Sequence, residues 1–416
     1  MVYRLGVNSN LLTAARLRTL FPAAEVFNML FSTEPIWIAQ DHELAELCTR
    51  LRQQAAIAVD TEFMRSETFY PIAGLIQIGD GKISYLIDPL AITDFSSLRE
   101  LMLDENVVKV LHSCSEDIEV FDYLLDAVPS PIFDTQIAAA FAGFNFSMGY
   151  AALVKTVLNT EIPKDETRSD WLQRPLSVSQ IKYAALDVAH MLIVYGKLLQ
   201  ILKANERLQW VKDDCADLVI NARKPDKFEE AYQKVGFAWK LRPQELAVLR
   251  DLCVWRETEA RARDIPRNRL IKEASLWEIA RKQPQDITHL QRIEDIPSRT
   301  LRNDAEHILT IVRTSLATEK HTWPPKLESP LAPGEGVLMK LLKKYVRDTA
   351  EHLNLPAEVL IRKKEYEFLI RSGMKGGTYA LPDRLKKWRF DVIGQGLLDI
   401  ALQPHDFANE NMQPDS

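Results

Sequence analysis

The stretch IAVDTEF at residues 57–63 decides how the first half of this chain folds. Its apolar start, followed by residues that alternate in polarity, is typical of a β-strand with one buried end. Two more strand-like runs come next, LIQI at 75–78 and ISYLID at 83–88, and the Asp-Gly pair between them favours a tight hairpin turn. The three segments together predict an antiparallel meander.

On either side of this meander, strand patterns alternate with helical ones. A short apolar run at 36–38 and a helical pattern at 43–53 precede it. After it, VVKVLH at 107–112 indicates a further strand, and helical patterns occupy 97–103, 115–125, 135–142, 150–157 and 179–202. Adjacent strands followed by alternating strands and helices predict an α/β domain, a mixed sheet with flanking helices.

The second half of the chain has a helical pattern that is divided by a linker. With 416 residues the chain has room for about three domains. Strand patterns fade beyond residue 210, and a Pro- and Gly-rich segment separates two helical clusters. We predict an N-terminal extension at 1–35, the α/β domain at 36–210, a connecting segment at 211–240, a first helical domain at 241–318, a linker at 319–336, a second helical domain at 337–403 and a tail at 404–416.

The composition excludes several classes of protein. Hydrophobic residues make up 46% and charged residues 26% of the chain, which argues against disorder, collagen-like repeats and disulfide scaffolds. The four cysteines form no C-x-x-C pair, so we expect no zinc site and a reducing, cytoplasmic location. Uninterrupted apolar runs such as residues 137–142 are far shorter than the ~18–20 residues that cross a bilayer, and we expect no membrane segment.

Charge is distributed unevenly along the chain. The net charge is −6, but residues 1–210 hold 17 Lys and Arg against 26 Asp and Glu, whereas residues 338–390 hold 13 basic and 6 acidic residues. The basic segment suits a polyanion, although a solvated helix surface explains the same counts. Residues 1–35 have no acid before Glu25, which leaves a transit peptide, an unordered tail and a true start at Met29 as open interpretations.

Five residues stand out as candidates for chemistry. Asp60 and Glu62 are two apart on a strand, so their carboxylates point to the same face of the sheet. Tyr183 and Asp187 are four apart on a helix and share one side of it. Asp117 stands near the start of another helix. Taken singly, each has an ordinary explanation, namely a solvated strand face, a chance pair on a helix or a helix cap.

Taken together, four carboxylates and a phenol indicate metal-assisted phosphoryl chemistry. Carboxylate oxygens are hard ligands of the kind that suits Mg²⁺ or Mn²⁺. Two such ions activate a water and stabilise the leaving oxygen of an in-line displacement at phosphorus. Spacing alone does not show that the acids converge, so the two-metal site is a hypothesis at this point.

Three motifs in the chain resemble those of a known superfamily. VDTEF at 59–63, HSCSEDIEVF at 112–121 and YAALDV at 183–188 are similar to the exonuclease motifs of the DEDD superfamily, in its tyrosine-bearing branch. KDETRSDWLQRPLS at 164–177 resembles the ribonuclease D family in particular. The resemblance implies a ribonuclease-H-like fold at 36–210, followed by two helicase-and-ribonuclease-D C-terminal (HRDC) domains that help to hold nucleic acid. The second of these is the more distant match.

The resemblance also implies roles for individual residues. Carried over motif by motif, it makes four carboxylates the metal ligands and one tyrosine the group that orients the attacking water: Asp60, Glu62, Asp117 and Asp187, with Tyr183. All five motif positions are filled, as expected of an active enzyme.

Four further residues are candidate contacts to the substrate. Phe63 would stack on or wedge beside the terminal base, and His112, Lys164 and Arg174 would contact the substrate backbone. Packing or ion pairing within the protein is the alternative explanation for each of them.

We therefore predict a 3′→5′ exoribonuclease that releases nucleotides one at a time by two-metal-ion hydrolysis. The resemblance implies a cytoplasmic monomer that needs two divalent cations, Mg²⁺ or Mn²⁺, and acts on RNA with a free 3′ end, trimming the 3′ trailers of precursor tRNA and other structured RNA. Two alternatives stay open: a DNA exonuclease of the same superfamily, and a nucleic-acid-binding adaptor in which the helical domains act and the acidic domain is structural.

Overall fold

The computed structural model of the chain describes residues 34–163, 169–331, 336–374 and 378–403. The predicted tail at 404–416 and all but the last two residues of the predicted extension at 1–35 lie outside this part of the chain. The candidate substrate contact Lys164 also lies outside it.

A mixed sheet forms the centre of the first domain. Its strands are β1 (Ile36–Ile38), β2 (Ala56–Met64), β3 (Ile72–Gly79), β4 (Ser84–Ile87), β5 (Val108–Leu111) and β6 (Ile132–Asp134). Their order across the sheet is β1-β4-β3-β2-β5-β6, so β2 lies between β3 and β5. β2, β3 and β4 form the predicted antiparallel meander, while β1, β5 and β6 pair in parallel with their neighbours. The mixed sheet is confirmed, and β6 is an addition that the sequence did not indicate.

Helices pack around this sheet. They are α1 (Asp41–Leu51), α2 (Ser96–Leu103), α3 (Ser115–Leu125), α4 (Thr135–Phe141), α5 (Tyr150–Leu158), α6 (Val178–Ala189), α7 (Met191–Ala204) and α8 (Leu208–Ala222). The single helix predicted over 179–202 is in fact two, because the chain turns at His190 (φ −100°, ψ −7°) and α7 begins after it. α8 extends past the predicted domain end at 210, and its Val211 and Cys215 are buried in the sheet's core.

Among the described residues, one stretch, Val178–Ala204, is long and apolar enough by length and composition to cross a membrane. It comprises α6 and α7, whose buried residues Val188, Val194 and Leu198 belong to the core around the sheet. A core helix and a membrane-spanning helix share this composition. The sequence prediction considered only uninterrupted apolar runs, and charged residues such as Lys182 break this one.

The first helical cluster follows two short 3-10 turns, Phe228–Lys234 and Ala238–Lys240. It consists of α9 (Pro243–Ala262), α10 (Arg267–Leu270), α11 (Glu273–Lys282), α12 (Ile287–Gln291) and α13 (Ser298–Ala317). Leu246, Leu249 and Ile308 are fully buried in a core of its own. The segment after β2 reaches into that core with Phe69, and the amides of Phe69 and Tyr70 donate to Asp264 Oδ1 at 2.9 and 3.0 Å.

The second helical cluster repeats the order of the first. It consists of α14 (Gly336–Leu353), α15 (Ala357–Leu360), α16 (Lys363–Met374) and α17 (Gln395–Leu402), with a 3-10 turn at Asp383–Leu385 and a π-turn at Phe390–Gly394. Each cluster has a long helix, then a four-residue helix capped by proline, Pro266 before α10 and Pro356 before α15. A buried isoleucine follows each short helix, Ile271 and Ile361.

Unlike the first cluster, the second shares its core with the sheet domain. The Trp388 and Trp210 rings stack with centroids 4.4 Å apart. Beside them Arg389, 2% exposed, forms an ion pair with Asp214 at 2.5 Å. The sheet domain and the second helical cluster therefore share one core.

Candidate active site

β2 carries two acids into the middle of the sheet. Asp60 and Glu62 are half-buried on this strand, two residues apart as the sequence predicted. The pairing of β2 with β3 shifts by one residue between Glu62 and Phe63. Such a bulge bends a strand and re-aims the side chains beside it. The extra residue here is Gly74 of β3, which has no partner on β2, so the acids lie on the strand opposite the bulge.

α6 brings the second pair of residues to the same place. A capping box between Ser177 and Gln180 fixes its start. Tyr183 and Asp187 follow one turn apart, and the Tyr183 hydroxyl donates a hydrogen bond to the Asp187 carboxylate. One oxygen from each of Asp60, Glu62 and Asp187 lies within 4.8 Å of the other two.

α3 supplies the fourth acid. Asp117 is buried and accepts a 2.5 Å hydrogen bond from Thr61 Oγ1 on β2. The N-cap residue of α3 is Cys114, and no side chain caps the helix, so the capping role considered for Asp117 does not apply. Asp117 lies outside the closely grouped set of three acids but contributes to the same cavity.

The cavity formed by these elements has a volume of about 280 Å³. It is lined by Asp60, Thr61, Glu62, Phe63, His112, Ser113, Glu116, Asp117, Tyr150, Tyr183, Asp187 and Met191. The five motif residues predicted from the sequence therefore meet in one place.

The acids oppose each other's ionisation. Burial, followed by repulsion from Asp117, Asp187 and Glu62, raises the pKa of Asp60 well above its usual range. Burial and the neighbouring carboxylates raise the pKa of Glu62 to about 8, and burial raises the pKa of Asp187 to about 7. Burial likewise raises the pKa of Asp117 to about 6, against the hydrogen bond from Thr61. Nearby cations would remove this penalty, because an opposite charge favours the ionised carboxylate.

The donor set fits hard divalent cations. The three closely grouped ligand atoms are all carboxylate oxygens, the ligands that Mg²⁺ and Mn²⁺ prefer. Their raised pKa values show that the protein has brought negative charges together without supplying a Lys or Arg to neutralise them, since no such residue lines the described cavity.

Two of the four candidate substrate contacts lie at the site. Phe63 and His112 both line the cavity. His112 Nδ1 lies 2.9 Å from Thr135 Oγ1, and burial lowers the pKa of the imidazole. A further residue, Tyr150 at the start of α5, was not predicted; its ring lies 5.5 Å from that of His112. An aromatic residue at the start of an apolar helix resembles a core residue, so the sequence contains no signal that would identify it.

Arg174 does not line the cavity. All the hydrogen-bond partners of its side chain lie within the protein, which corrects the predicted contact with the substrate. Its Nε and one Nη bind Asp88 at 2.8 and 2.6 Å. The remaining N–H groups donate to the carbonyls of Trp171, Gln173 and Gly74. All five donors of the guanidinium are thus used within the protein. Arg174 holds the loop before α6 against the sheet.

Comparisons with known proteins agree with this geometry. Residues 35–203 match the family model described as a 3′-5′ exonuclease, and residues 245–312 match the HRDC domain. A ribonuclease D of Pseudomonas paraeruginosa is 47% identical over 372 residues, which cover 89% of this chain and 99% of the relative. The chain belongs to the ribonuclease D family.

Two further proteins are similar to this chain over most of their length. The ribonuclease D of Escherichia coli is 35% identical over 88% of this chain and 98% of its own length. The crystal structure of E. coli RNase D, described as an exoribonuclease involved in structured RNA processing, superposes with a TM-score of 0.82 over 88% of this chain and 98% of that one. A protein from Bifidobacterium adolescentis, 22% identical with a TM-score of 0.61, shares the fold.

Membership in this family confirms the predicted enzyme class. The protein is a 3′-5′ exoribonuclease, a hydrolase with a metal-dependent exonuclease fold followed by an HRDC region. The adaptor alternative, in which the acidic domain is only structural, is therefore set aside.

Proposed function

We propose that Asp60, Glu62, Asp117 and Asp187 hold two divalent cations, Mg²⁺ or Mn²⁺, and that Tyr183 orients the attacking water. The observation that carries this proposal is the grouping of three carboxylate oxygens within 4.8 Å in a cavity that Asp117 and Tyr183 also line. Bound at these carboxylates, the cations activate a water and stabilise the leaving oxygen of an in-line displacement.

Other side chains around the cavity position the water, the fourth carboxylate and the substrate. Burial and the nearby carboxylates raise the pKa of the Tyr183 phenol, so it stays protonated and keeps its hydrogen bond to Asp187. A protonated hydroxyl on the cavity wall is suited to position a water rather than to remove its proton. Thr61 fixes Asp117 through its 2.5 Å hydrogen bond. We assign contacts with the terminal nucleotide to Phe63 and His112, which line the same cavity.

We propose precursor tRNA and other structured RNA with a free 3′ end as the substrate. The E. coli relative is described as processing structured RNA. The segment 338–390, with 13 basic and 6 acidic residues, supplies positive charge to hold folded RNA beyond the site. We also propose that the protein acts as a monomer in the cytoplasm; its four cysteines are free and buried, which fits a reducing compartment.

The experiment compares three substrates with purified protein and Mg²⁺: a precursor tRNA with a 3′ trailer, a single-stranded RNA and a DNA of the same sequence. We expect stepwise shortening of both RNAs, with the precursor trimmed to a defined end at the tRNA body. Faster digestion of the DNA would contradict the proposed substrate and favour the DNA exonuclease alternative. A precursor that stays intact while the single-stranded RNA is shortened would contradict trimming of structured RNA.

A further inference from the structure

A second cavity lies between the exonuclease domain and the first helical cluster. It has a volume of about 860 Å³ and is bounded by the segment after β2 and by the region from α9 to the start of α11. Its lining residues include four cations, an aromatic ring and an amide: Arg65, Arg256, Arg267, Lys272, Phe69 and Asn268. Nothing in the proposed catalytic step uses these residues.

Arg256 is the unusual member of this group. Its side chain is 5% exposed, yet among the described residues its only hydrogen bond is a 3.5 Å contact to Glu257, and its buried Nε has no partner. Glu257 is already bound by Arg261 at 2.6 Å and by Arg267 at 2.7 Å. Arg256 therefore has one long ion pair with a shared acid, and its buried Nε–H is left unpaired, which is costly unless a ligand accepts a hydrogen bond from it.

The rest of the cavity wall adds to the positive charge. Arg65, Arg267 and Lys272 line it together with Arg256, against the acids Glu119 and Glu273. The Phe69 ring lies under the guanidinium of Arg267 at 4.6 Å and limits its freedom to turn away. Three of these cations are paired within the protein, Arg65 with Glu119, Lys272 with Asp295 and Arg267 with Glu257. Arg256 is the member of the group that has only a long, shared contact.

Two elements, β2 with the segment after it and α3, contribute residues to both cavities, although the cavities have no lining residue in common. Glu62 and Phe63 of β2 lie at the catalytic cavity, and Arg65, just past the end of the strand, lines the second. The rise of a strand puts Arg65 about 10 Å from Glu62. On α3, Asp117 faces the first cavity and Glu119 the second. An RNA strand that ends at the carboxylates can therefore run along this wall.

We propose that the second cavity binds a backbone phosphate of the RNA upstream of the scissile bond, with Arg256 as its buried anchor. The proposal rests on the exoribonuclease function and assigns part of the RNA path to the junction between the two domains. A phosphate at this point would complete the hydrogen bonds of Arg256 with charge-assisted ones. It would also explain why the segment after β2 is tied to the first helical cluster through Asp264.

The test uses Arg256→Gln and the variant Lys272→Gln at an exposed lining residue. Arg313→Gln, at an exposed arginine of the same cluster that does not line the cavity, is the matched control. Hydrolysis of a dinucleotide, whose single phosphate occupies the catalytic site, is compared with that of a ten-nucleotide RNA. We expect Arg256→Gln to raise KM for the longer RNA about 10-fold, because one charge-assisted hydrogen bond to the RNA is lost. Hydrolysis of the dinucleotide should be unchanged. Lys272→Gln should act in the same direction but more weakly.

Binding of the ten-nucleotide RNA in EDTA, measured against salt, gives an independent result. Each lost phosphate contact should reduce the slope of log affinity against log salt by about 0.7 in Arg256→Gln. An unchanged slope, or an equal loss on both substrates, would overturn the proposal and leave Arg256 with a structural role. Wild-type protein that hydrolyses neither substrate would contradict the catalytic site instead, while the salt slopes would still decide the second cavity. If Arg256→Gln does not fold, Lys272→Gln decides by the same criteria.

Discussion

At Asp60 the protein places a carboxylate where three others oppose its charge. In the metal-free protein a raised folded-state pKa favours stability at low pH, and that contribution is lost as pH rises through the folded value. The pKa rises from 4.5 to about 8 for Glu62 and from 3.8 to about 7 for Asp187, so the loss is spread over pH 4 to 8. The metal-free protein should therefore lose stability across this window.

The variant Asp60→Asn removes one of the opposing charges. In EDTA at pH 8 we expect its Tm to exceed that of wild type by about 2–4 °C, and the difference should be smaller at pH 5. Thermal unfolding at the two pH values measures it, with the surface variant Asp399→Asn as control. A lower Tm than wild type at pH 8 would mean that the four carboxylates do not repel one another as described.

Tyr183 is expected to act in the chemical step rather than in metal binding. Tyr183→Phe keeps the ring and removes the hydroxyl that donates to Asp187. We predict that kcat falls by roughly 10²-fold while KM for RNA and the affinity for Mn²⁺ stay close to wild type. Steady-state kinetics and Mn²⁺ titration check this, and a loss of Mn²⁺ affinity equal to that of Asp187→Asn would contradict it.

Residue spacing predicted which candidate residues share a face of one element, but the resemblance to the exonuclease motifs was needed to predict that all five belong to one site. The two-residue period of a strand puts Asp60 and Glu62 on one face of the sheet, and one turn of a helix puts Tyr183 and Asp187 on one side of that helix. Arg174 was misassigned because its partner Asp88 is distant in sequence, on the other side of the meander. No local pattern distinguishes an arginine that meets a phosphate from one that meets a buried carboxylate.

At the scale of elements, the loop before α6 decides where Tyr183 and Asp187 lie. Arg174 ties this loop to Asp88, whose side chain is 8% exposed, and to the Gly74 carbonyl on β3. A side chain at Gly74 would come within 2.7 Å of the Trp171 carbonyl, so glycine allows the loop to approach the strand this closely. The helix is thus fixed to the sheet just ahead of its catalytic residues.

Arg174→Ala should act on stability and not on substrate contact. It leaves Asp88 buried without its partner, which costs about 3 kcal/mol in the free energy of unfolding. Urea unfolding measures this loss, and Asp88→Asn combined with Arg174→Ala should restore part of it. The opposite result would be a raised KM for RNA, measured where the variant is folded, together with a wild-type free energy of unfolding. It would show that Arg174 contacts the substrate.

The elements themselves were predicted where the signal was strong. The Asp-Gly turn predicted the β3–β4 hairpin, and the helical spacing of apolar residues predicted α3 and α5. β6 was missed because it offers only two apolar residues, Ile132 and Phe133, between Pro131 and Asp134. The break between α6 and α7 was missed because His190 has no helix-breaking side chain, and the packing of α7 under the sheet determines the turn.

At the scale of the whole molecule, the second helical cluster completes the exonuclease domain. Its Trp388 covers Trp210, and its Arg389 neutralises Asp214. A chain that ends at residue 331 should expose this surface and unfold several degrees below the full chain in calorimetry. The full chain with Lys363→Gln, a change on an exposed side chain of the same cluster, is the control. An unchanged Tm would show that the cluster adds nothing to the sheet's core.

The order of the domains could be predicted from composition, because strand patterns stop near residue 210. Their arrangement could not, since pairs such as Trp210 with Trp388 join distant parts of the chain. For the same reason the sequence did not show that α8 belongs to the sheet's core, or that a charged cavity lies at the junction with the first cluster.

The measurement that tests the central claim most directly follows a 3′-extended RNA, labelled at its 5′ end, at single-nucleotide resolution. Wild type, Asp60→Asn and Asp187→Asn are compared with and without Mg²⁺ or Mn²⁺. The carboxylate site predicts shortening from the 3′ end by wild type with metal, and none by either variant or in EDTA. Shortening by the variants at the wild-type rate, or without metal, would contradict it.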